Sequence, residues 1–187
     1  MKHIQKACEF LQKSDKYPLI LEFGVFRGNT ISLIRDKVKG LGYEIYGFDS
    51  FEGLPEDWTN ETTLERALPK GCFSTNGNIP NVEGVTLIKG WFENTIPEFI
   101  KESKDIALLH VDCDLYSSTK TVLYSLNDFI KPGTIIVFDE WIYCFRQDYN
   151  DHEQKCFYEW VKDFGREYEL IDHKCHEYEQ QIVRILK

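Results

Sequence analysis

The sequence predicts an α/β fold, a mostly parallel seven-stranded sheet with helices on both faces and an antiparallel last strand. Three observations lead there. Residues 106–116 open as an apolar run and close on two carboxylates, Asp112 and Asp114. A run of that kind is a strand buried on both faces, as parallel sheets require. Residues 133–138 repeat the pattern and end in Asp139 and Glu140. Short apolar runs also alternate with helical patterns along the chain, which is the order of βα units.

Taken in order, Ile4, Ala7, Cys8 and Leu11 have helical spacing, so a first helix covers 4–13 and the stretch up to Pro18 breaks it. Residues 19–23 form the first strand. Gly24 and Gly28 punctuate the turn after it, and Ile31, Ile34, Val38 and Leu41 then share one helical face. Asn29 or Thr30 is expected to cap that helix, and Gly40 to stop it. The second strand, 44–48, ends at Asp49 and Ser50. Residues 51–84 lack a clear period and are expected to form a lid-like insertion, with a short helix over 64–68. A third strand, 85–88, runs into Lys89, Gly90 and Trp91, and a helix begins at Asn94 or Thr95.

After the strand at 106–111, Ser117, Ser118 and Thr119 are expected to cap a helix that buries Val122, Leu123, Leu126, Phe129 and Ile130. Lys131, Pro132 and Gly133 end it and lead into the fifth strand. Residues 141–149 form a loop rich in aromatics. A helix opening at Asn150 or Asp151 carries Phe157, Trp160, Val161 and Phe164 on its apolar face. Residues 168–171 and 181–186 are two closing strands. The segment between them, 172–180, is too short for a usual crossover, so they pair antiparallel.

Composition sets outer bounds. With 187 residues and 42% hydrophobic content, the chain fits one domain with a substantial core. No apolar segment approaches the roughly 20 residues that span a bilayer, and the first residues lack the apolar core of a secretion signal, so a cytoplasmic location is expected. A net charge of −9 argues against nucleic acid or an anionic membrane as the main partner. The six cysteines show no metal or disulfide spacing and are expected to be free structural thiols, Cys113 included.

In open α/β sheets, ligands collect beyond the carboxyl ends of the strands. Four acids meet there if the two acid-ended strands are neighbours. One such acid could simply cap a turn; four would repel one another without a cation. All-oxygen donors suit Mg²⁺ or another hard divalent ion. Asp112 and Asp114 face one side if their strand continues, whereas Asp139 and Glu140 face opposite sides unless the chain turns. The glycine turn, with the spacing E-x-G-x-x-x-G from Glu22, is as compatible with a tight structural turn as with a cofactor cradle. Asp49, at the second strand's tip, stands where such folds hold ribose hydroxyls. Trp91 could flank a purine ring or pack in the core. His110, inside the apolar run, is expected to be a hydrogen-bonded core histidine, and His152, His173 and His176 lack a ligand-like grouping.

The order of elements resembles the Rossmann-like class I S-adenosylmethionine-dependent methyltransferases. The segments 21–25, 47–55, 110–116 and 138–140 further resemble the signature strings of the macrocin O-methyltransferase family. The G-F-D-S-F-E-G-L-P and D-x-D-L-Y-x-S-T strings are the specific part, and the likeness runs from about Pro18 to Glu140. One helix precedes the first strand here, where family members generally carry a longer N-terminal region.

The resemblance implies a methyltransferase that uses S-adenosylmethionine and Mg²⁺ to methylate a hydroxyl of a sugar or other vicinal-diol small molecule in natural-product biosynthesis, with a homo-oligomer possible. Carried over, it implies that Glu22, Gly24 and Gly28 line the cofactor's methionine end and that Asp49 holds its ribose. Thr30, Ser50, Gly90, Trp91 and Asp112 complete the expected cofactor set. Asp112, Asp139 and Glu140 would hold the metal and Asp114 would act as general base. A non-catalytic nucleotide-binding module of the same fold is the alternative, and the intact acids count against it. An NAD-type oxidoreductase is disfavoured because G-x-G-x-x-G is absent.

Overall fold

The computed structural model describes residues 2–12, 16–59, 66–102, 104–141, 152–171 and 180–187. Helix α1 (Lys2–Glu9) leads into β1 (Leu19–Phe23), α2 (Asn29–Lys37) and β2 (Glu44–Asp49). A small hairpin, β3 (Trp58–Thr59) and β4 (Arg66–Leu68), precedes β5 (Thr86–Lys89) and α3 (Phe92–Phe99). Then come β6 (Ile106–Val111), α4 (Tyr116–Leu126), β7 (Ile130–Phe138), α5 (Glu153–Phe164), β8 (Tyr168–Ile171) and β9 (Gln181–Ile185).

The seven-stranded sheet has the order β5-β2-β1-β6-β7-β9-β8. The first five strands pair in parallel, and β9 is antiparallel to both β7 and β8. The expected architecture is therefore present. Order reverses between β1 and β6, where one crossover leaves toward β2 and the other toward β7. Such a switch point opens a crevice at the strand ends.

Side-chain alternation divides the core into two layers. Leu21, Phe23, Leu109, Val111, Ile136 and Phe138 pack with Val122, Leu123, Phe157 and Trp160 from α4 and α5. Ile20, Leu108, Ile135 and Val137 pack with Ile4, Ala7, Ile31 and Ile34 from α1 and α2. Every residue of β1 and β6 is buried, including Glu22 and His110.

Several local expectations are corrected. Neither Asn29 nor Thr30 caps α2: its N-cap is Gly28, in left-handed backbone at φ 79° and with no side chain to bond. Leu115, not a serine, is the N-cap of α4, and the Thr119 hydroxyl instead donates back to the Leu115 carbonyl. Arg66–Leu68 is a strand paired with Trp58–Thr59, not part of a helix. β7 starts at Ile130 because residues 131–134 bulge against β6, where Ile106 pairs with Ile130 but Leu108 with Ile135. The Thr134 hydroxyl stabilises the bulge, accepting from Lys131 N and donating to the Ile106 carbonyl. No helix among the described residues is long and apolar enough to cross a membrane.

Candidate active site

Sheet register assembles the site. Glu22 on β1 pairs with His110 on β6, and Val111 pairs with Phe138 on β7. One residue further, Asp139 N donates to the Val111 carbonyl and Asp112 N to the Phe23 carbonyl, so the pairing persists past the formal strand ends. Alternation then places Glu22, His110, Asp112 and Asp139 on the face of Ile20, Leu108 and Val137. One ligand atom each from His110, Asp112 and Asp139 lies within 4.8 Å of the others. His110, expected in the core, is buried as expected and also belongs to this group. Its Nδ1 stands 3.1 Å from Glu22 Oε2, while Nε2 is buried without a hydrogen-bond partner, 3.8 Å from Asp139 Oδ1.

Glu140 is not in that trio. It lines the cavity beside the site, and its Oε2 is buried without a hydrogen-bond partner. Its neighbour is Glu153, a fully buried acid at the start of α5 that sequence reasoning missed. Glu153 accepts the backbone N–H of Glu140 at 3.1 Å and, more weakly, that of Cys113 at 3.4 Å. One carboxylate thus ties together the loops after β6 and β7. Cys113 is buried with its Sγ 3.6 Å from the Thr119 hydroxyl, and burial followed by the Glu153 charge pushes its thiol up.

Asp114 does not continue the strand. It sits in left-handed backbone at φ 62°, a conformation aspartate tolerates better than most residues, inside a tight turn closed by Leu115 N and the Cys113 carbonyl. Burial, then the charges of Asp139 and Asp49, raise its carboxyl to about 7. Burial also pushes Asp112 and Glu140 well above the usual carboxylate range, with Asp139 the next cause for Asp112 and Glu153 for Glu140. Burial opposes charge on His110, but Asp139 and Glu22 outweigh it and hold the imidazole well above its ordinary value. For Asp139 burial acts upward, and the pull of His110 wins and lowers it. The cluster is therefore acid-rich and under-compensated, with one imidazole among several carboxyls.

A cavity of about 580 Å³ opens beside these acids. From the expected set, Gly24, Thr30, Asp49, Ser50, Trp91, Asp112, Asp114 and Glu140 line it; Glu22, Gly28, Gly90 and Asp139 do not. Gly24 makes the close approach possible. At φ 98°, a Cβ there would lie 1.7 Å from the Asp112 carbonyl oxygen. Asp49 binds the glycine turn itself: Oδ2 accepts from Val25 N at 2.9 Å and Phe26 N at 2.7 Å, and Oδ1 from Phe51 N at 2.6 Å. Three of roughly four lone-pair directions are thereby used, which leaves one for a ligand hydroxyl. Glu22 is sealed beneath the turn, against His110.

The insertion reaches the same cavity through Gly53, Leu54, Pro55, Glu56 and Phe73, opposite Ser117, Ser118 and Thr121 of α4. Ser117 donates to Glu56 at 2.5 Å across the gap. His152, for which sequence analysis found no role, anchors this region. Tyr116 N donates to its Nδ1 at 3.0 Å, so Nε2 carries the proton toward the Thr59 carbonyl at 3.1 Å. Residues 64–65 of the helix expected over 64–68, residues 142–149 of the aromatic loop, and His173 and His176 lie outside the described residues.

A glycine cradle at the β1 end, an acid at the β2 tip and a carboxylate group at the neighbouring β6 and β7 ends form one continuous site. A family model described as Macrocin-O-methyltransferase (TylF) matches residues 1–156. The chain is 26% identical over 140 residues to the 8-demethyl-8-(2,3-dimethoxy-alpha-L-rhamnosyl)-tetracenomycin-C 4'-O-methyltransferase of Streptomyces olivaceus, covering 65% of this chain and 52% of that protein. It is 26% identical over 141 residues to the demethyldecarbamoylnovobiocin O-methyltransferase of Streptomyces niveus, covering 67% and 53%. The chain spans about half the length of the curated relatives it matches. The calicheamicin methyltransferase CalS11 has the same fold, with a TM-score of 0.73 at 22% identity over 98% of this chain and 79% of that one. With the family model covering most of its length, this chain belongs to the macrocin O-methyltransferase family.

Proposed function

We propose that the chain is an S-adenosylmethionine-dependent O-methyltransferase acting on a hydroxyl of a sugar or another vicinal-diol small molecule, with Mg²⁺ or another hard divalent cation. The observation that carries this reading is a cavity lined by Asp112, Asp114 and the Gly24 turn, with Asp139 offering a ligand atom within 4.8 Å of one from Asp112. The Streptomyces olivaceus relative, named as a 4'-O-methyltransferase of a rhamnosyl-bearing tetracenomycin, points the same way.

The donor set fits a cation: Asp112 and Asp139 converge, and Glu140 offers a buried unpartnered oxygen from the cavity wall. When bound, the cation would supply Lewis-acid polarisation of the acceptor hydroxyl. Gly24, with Thr30, Asp49, Ser50 and Trp91, would hold the cofactor, since the turn lets a ligand approach backbone closely. A sulfonium methyl is already activated, so the remaining tasks are alignment and removal of one proton. Asp114, raised to about 7 and facing the cavity, suits the role of general base at neutral pH. Residues 51–84 would act as the lid of a single methyltransferase domain, presenting Glu56 and Phe73 to the acceptor.

Calorimetric titration tests this reading. S-adenosylmethionine should bind and NAD should not, and Mg²⁺ should register as a separate event. Failure of S-adenosylmethionine to bind would reject the enzyme. Asp114→Asn should abolish turnover while leaving cofactor affinity nearly intact; equal loss of both would reject its role as base.

A further inference from the structure

Two fully buried ionisable side chains, Glu22 and His110, have no task in the proposed reaction, and both lie in the two most buried strands of the sheet. They are register partners on β1 and β6, and Glu22 Oε2 stands 3.1 Å from His110 Nδ1. That bond fixes which way the ring faces. If Nδ1 carries the shared proton, Nε2 presents its lone pair toward Asp112 and Asp139. Nε2 is buried and has no hydrogen-bond partner, and its 3.8 Å separation from Asp139 Oδ1 is too long for a hydrogen bond. An unpartnered buried nitrogen aimed at two carboxylates needs an explanation.

We propose that His110 Nε2 is a direct ligand of the divalent cation, with Asp112 and Asp139, and that Glu22 is the carboxylate that orients it. This rests on the cation reading above and sharpens it. Metal-bound histidines usually give their other ring N–H to a carboxylate, which fixes the tautomer and strengthens the donor. Glu22 occupies that position, which also accounts for its absence from the cavity wall. A ring nitrogen in the shell changes the preferred ion. Mg²⁺ favours oxygen donors and near-ideal octahedral geometry, whereas Mn²⁺, Fe²⁺ and Co²⁺ accept imidazole readily. The site should therefore select a transition-metal ion over Mg²⁺ when both are offered.

The test uses the full chain, stripped with a chelator and loaded with Mn²⁺ alone. Pulsed electron paramagnetic resonance should show ¹⁴N coupling from a directly bound ring nitrogen, and His110→Asn should remove it. Mn²⁺ should bind the unaltered chain more tightly than Mg²⁺, and His110→Asn should narrow that ratio. Glu22→Gln keeps the ligand but loses the orienting charge, so it should retain the ¹⁴N signal while weakening Mn²⁺ binding by roughly 10–100-fold. If His110→Asn fails to fold, the spectrum of the unaltered chain and the Glu22→Gln affinity still decide the matter. Stoichiometric Mn²⁺ with an oxygen-only spectrum would overturn the histidine ligand and leave the cation reading standing. A ¹⁴N signal that survives in folded His110→Asn would overturn it too. No binding of Mn²⁺ or Mg²⁺ would reject both.

Discussion

Glu153 shows how a single side chain can set the geometry of an acid cluster without belonging to the reaction. Its carboxylate receives backbone N–H groups from both acid-bearing loops, and burial followed by the charge of Asp112 raises its own protonation well above the usual range. Glu153→Ala leaves two buried donors unanswered, at a cost of about 1–3 kcal/mol for each. The midpoint of thermal unfolding should fall by about 2–4 °C for each kcal/mol lost. Glu153→Gln keeps one acceptor and should retain most of the stability, so equal losses in the two variants would show that the anchor is not the hydrogen bonding. Gly24→Ala acts on the other wall. Backbone strain at φ 98° costs about 1–3 kcal/mol, and the added carbon would also collide with the Asp112 carbonyl. Calorimetry should show S-adenosylmethionine binding lost even where the variant folds, and retained affinity would remove Gly24 from the cradle. Asp112, Asp114 and Asp139 were visible as candidates because acids at the ends of apolar runs stand out in a sequence, and Glu22 because it stands two residues before the first glycine of the turn. Glu153 was not, because it is one acid among many in a polar stretch, and only the packing of α5 brings it under the β6 and β7 loops. His110 could have been found: it sits two residues before Asp112 in an extended run, and period two puts both on one face.

At the scale of elements, boundaries set by hydrophobic run length were legible and boundaries set by hydrogen bonding were not. β1 and β8 begin and end where the apolar pattern does. The start of β7 depends on the Thr134 bulge, which no periodicity reveals. The β3–β4 hairpin escaped notice for a similar reason: its strands are too short to show alternation, and its support comes from outside. Trp58 packs edge-on to the His152 ring at 5.9 Å, and the Thr59 carbonyl accepts from the same ring. Through Nδ1, that histidine also bonds Tyr116 N, at the first turn of α4. His152→Ala should therefore loosen the hairpin and the start of α4 together. Hydrogen–deuterium exchange should quicken at 54–59, 66–72 and 116–119, while the central strand 106–111 keeps its protection. Unchanged exchange at 54–59 would mean that the hairpin is held by Trp58 and Leu54 packing alone.

The whole molecule carries a net charge of −9 and concentrates part of it in one enclosed place, so its stability should depend on pH in a way the cation can reverse. Burial raises the folded-state protonation of Glu22 against the pull of His110, and, with neighbouring acids behind it, raises that of Asp112, Glu140 and Glu153 and takes Asp114 to about 7. A carboxyl raised on folding contributes stability that is fully present below its unfolded value, near 4, and lost as pH rises through its folded value. For Asp114 that window runs from about 4 to about 7. His110, held above its ordinary value, adds a loss of the same sign at higher pH, while the lowered Asp139 acts oppositely and only in acid. The metal-free protein should accordingly melt at a lower temperature at pH 8 than at pH 5.5. Divalent cations bind only the deprotonated donors and displace protons, so their stabilising effect must grow with pH. Scanning calorimetry with and without saturating Mn²⁺ or Mg²⁺ should show the two melting curves far apart at pH 8 and nearly merged at pH 5.5. A metal-free melting temperature that climbs steadily from pH 5.5 to 8 would mean that the unfolded chain holds more protons than the folded one, so that the buried acids are already ionised and His110 is neutral in the metal-free fold.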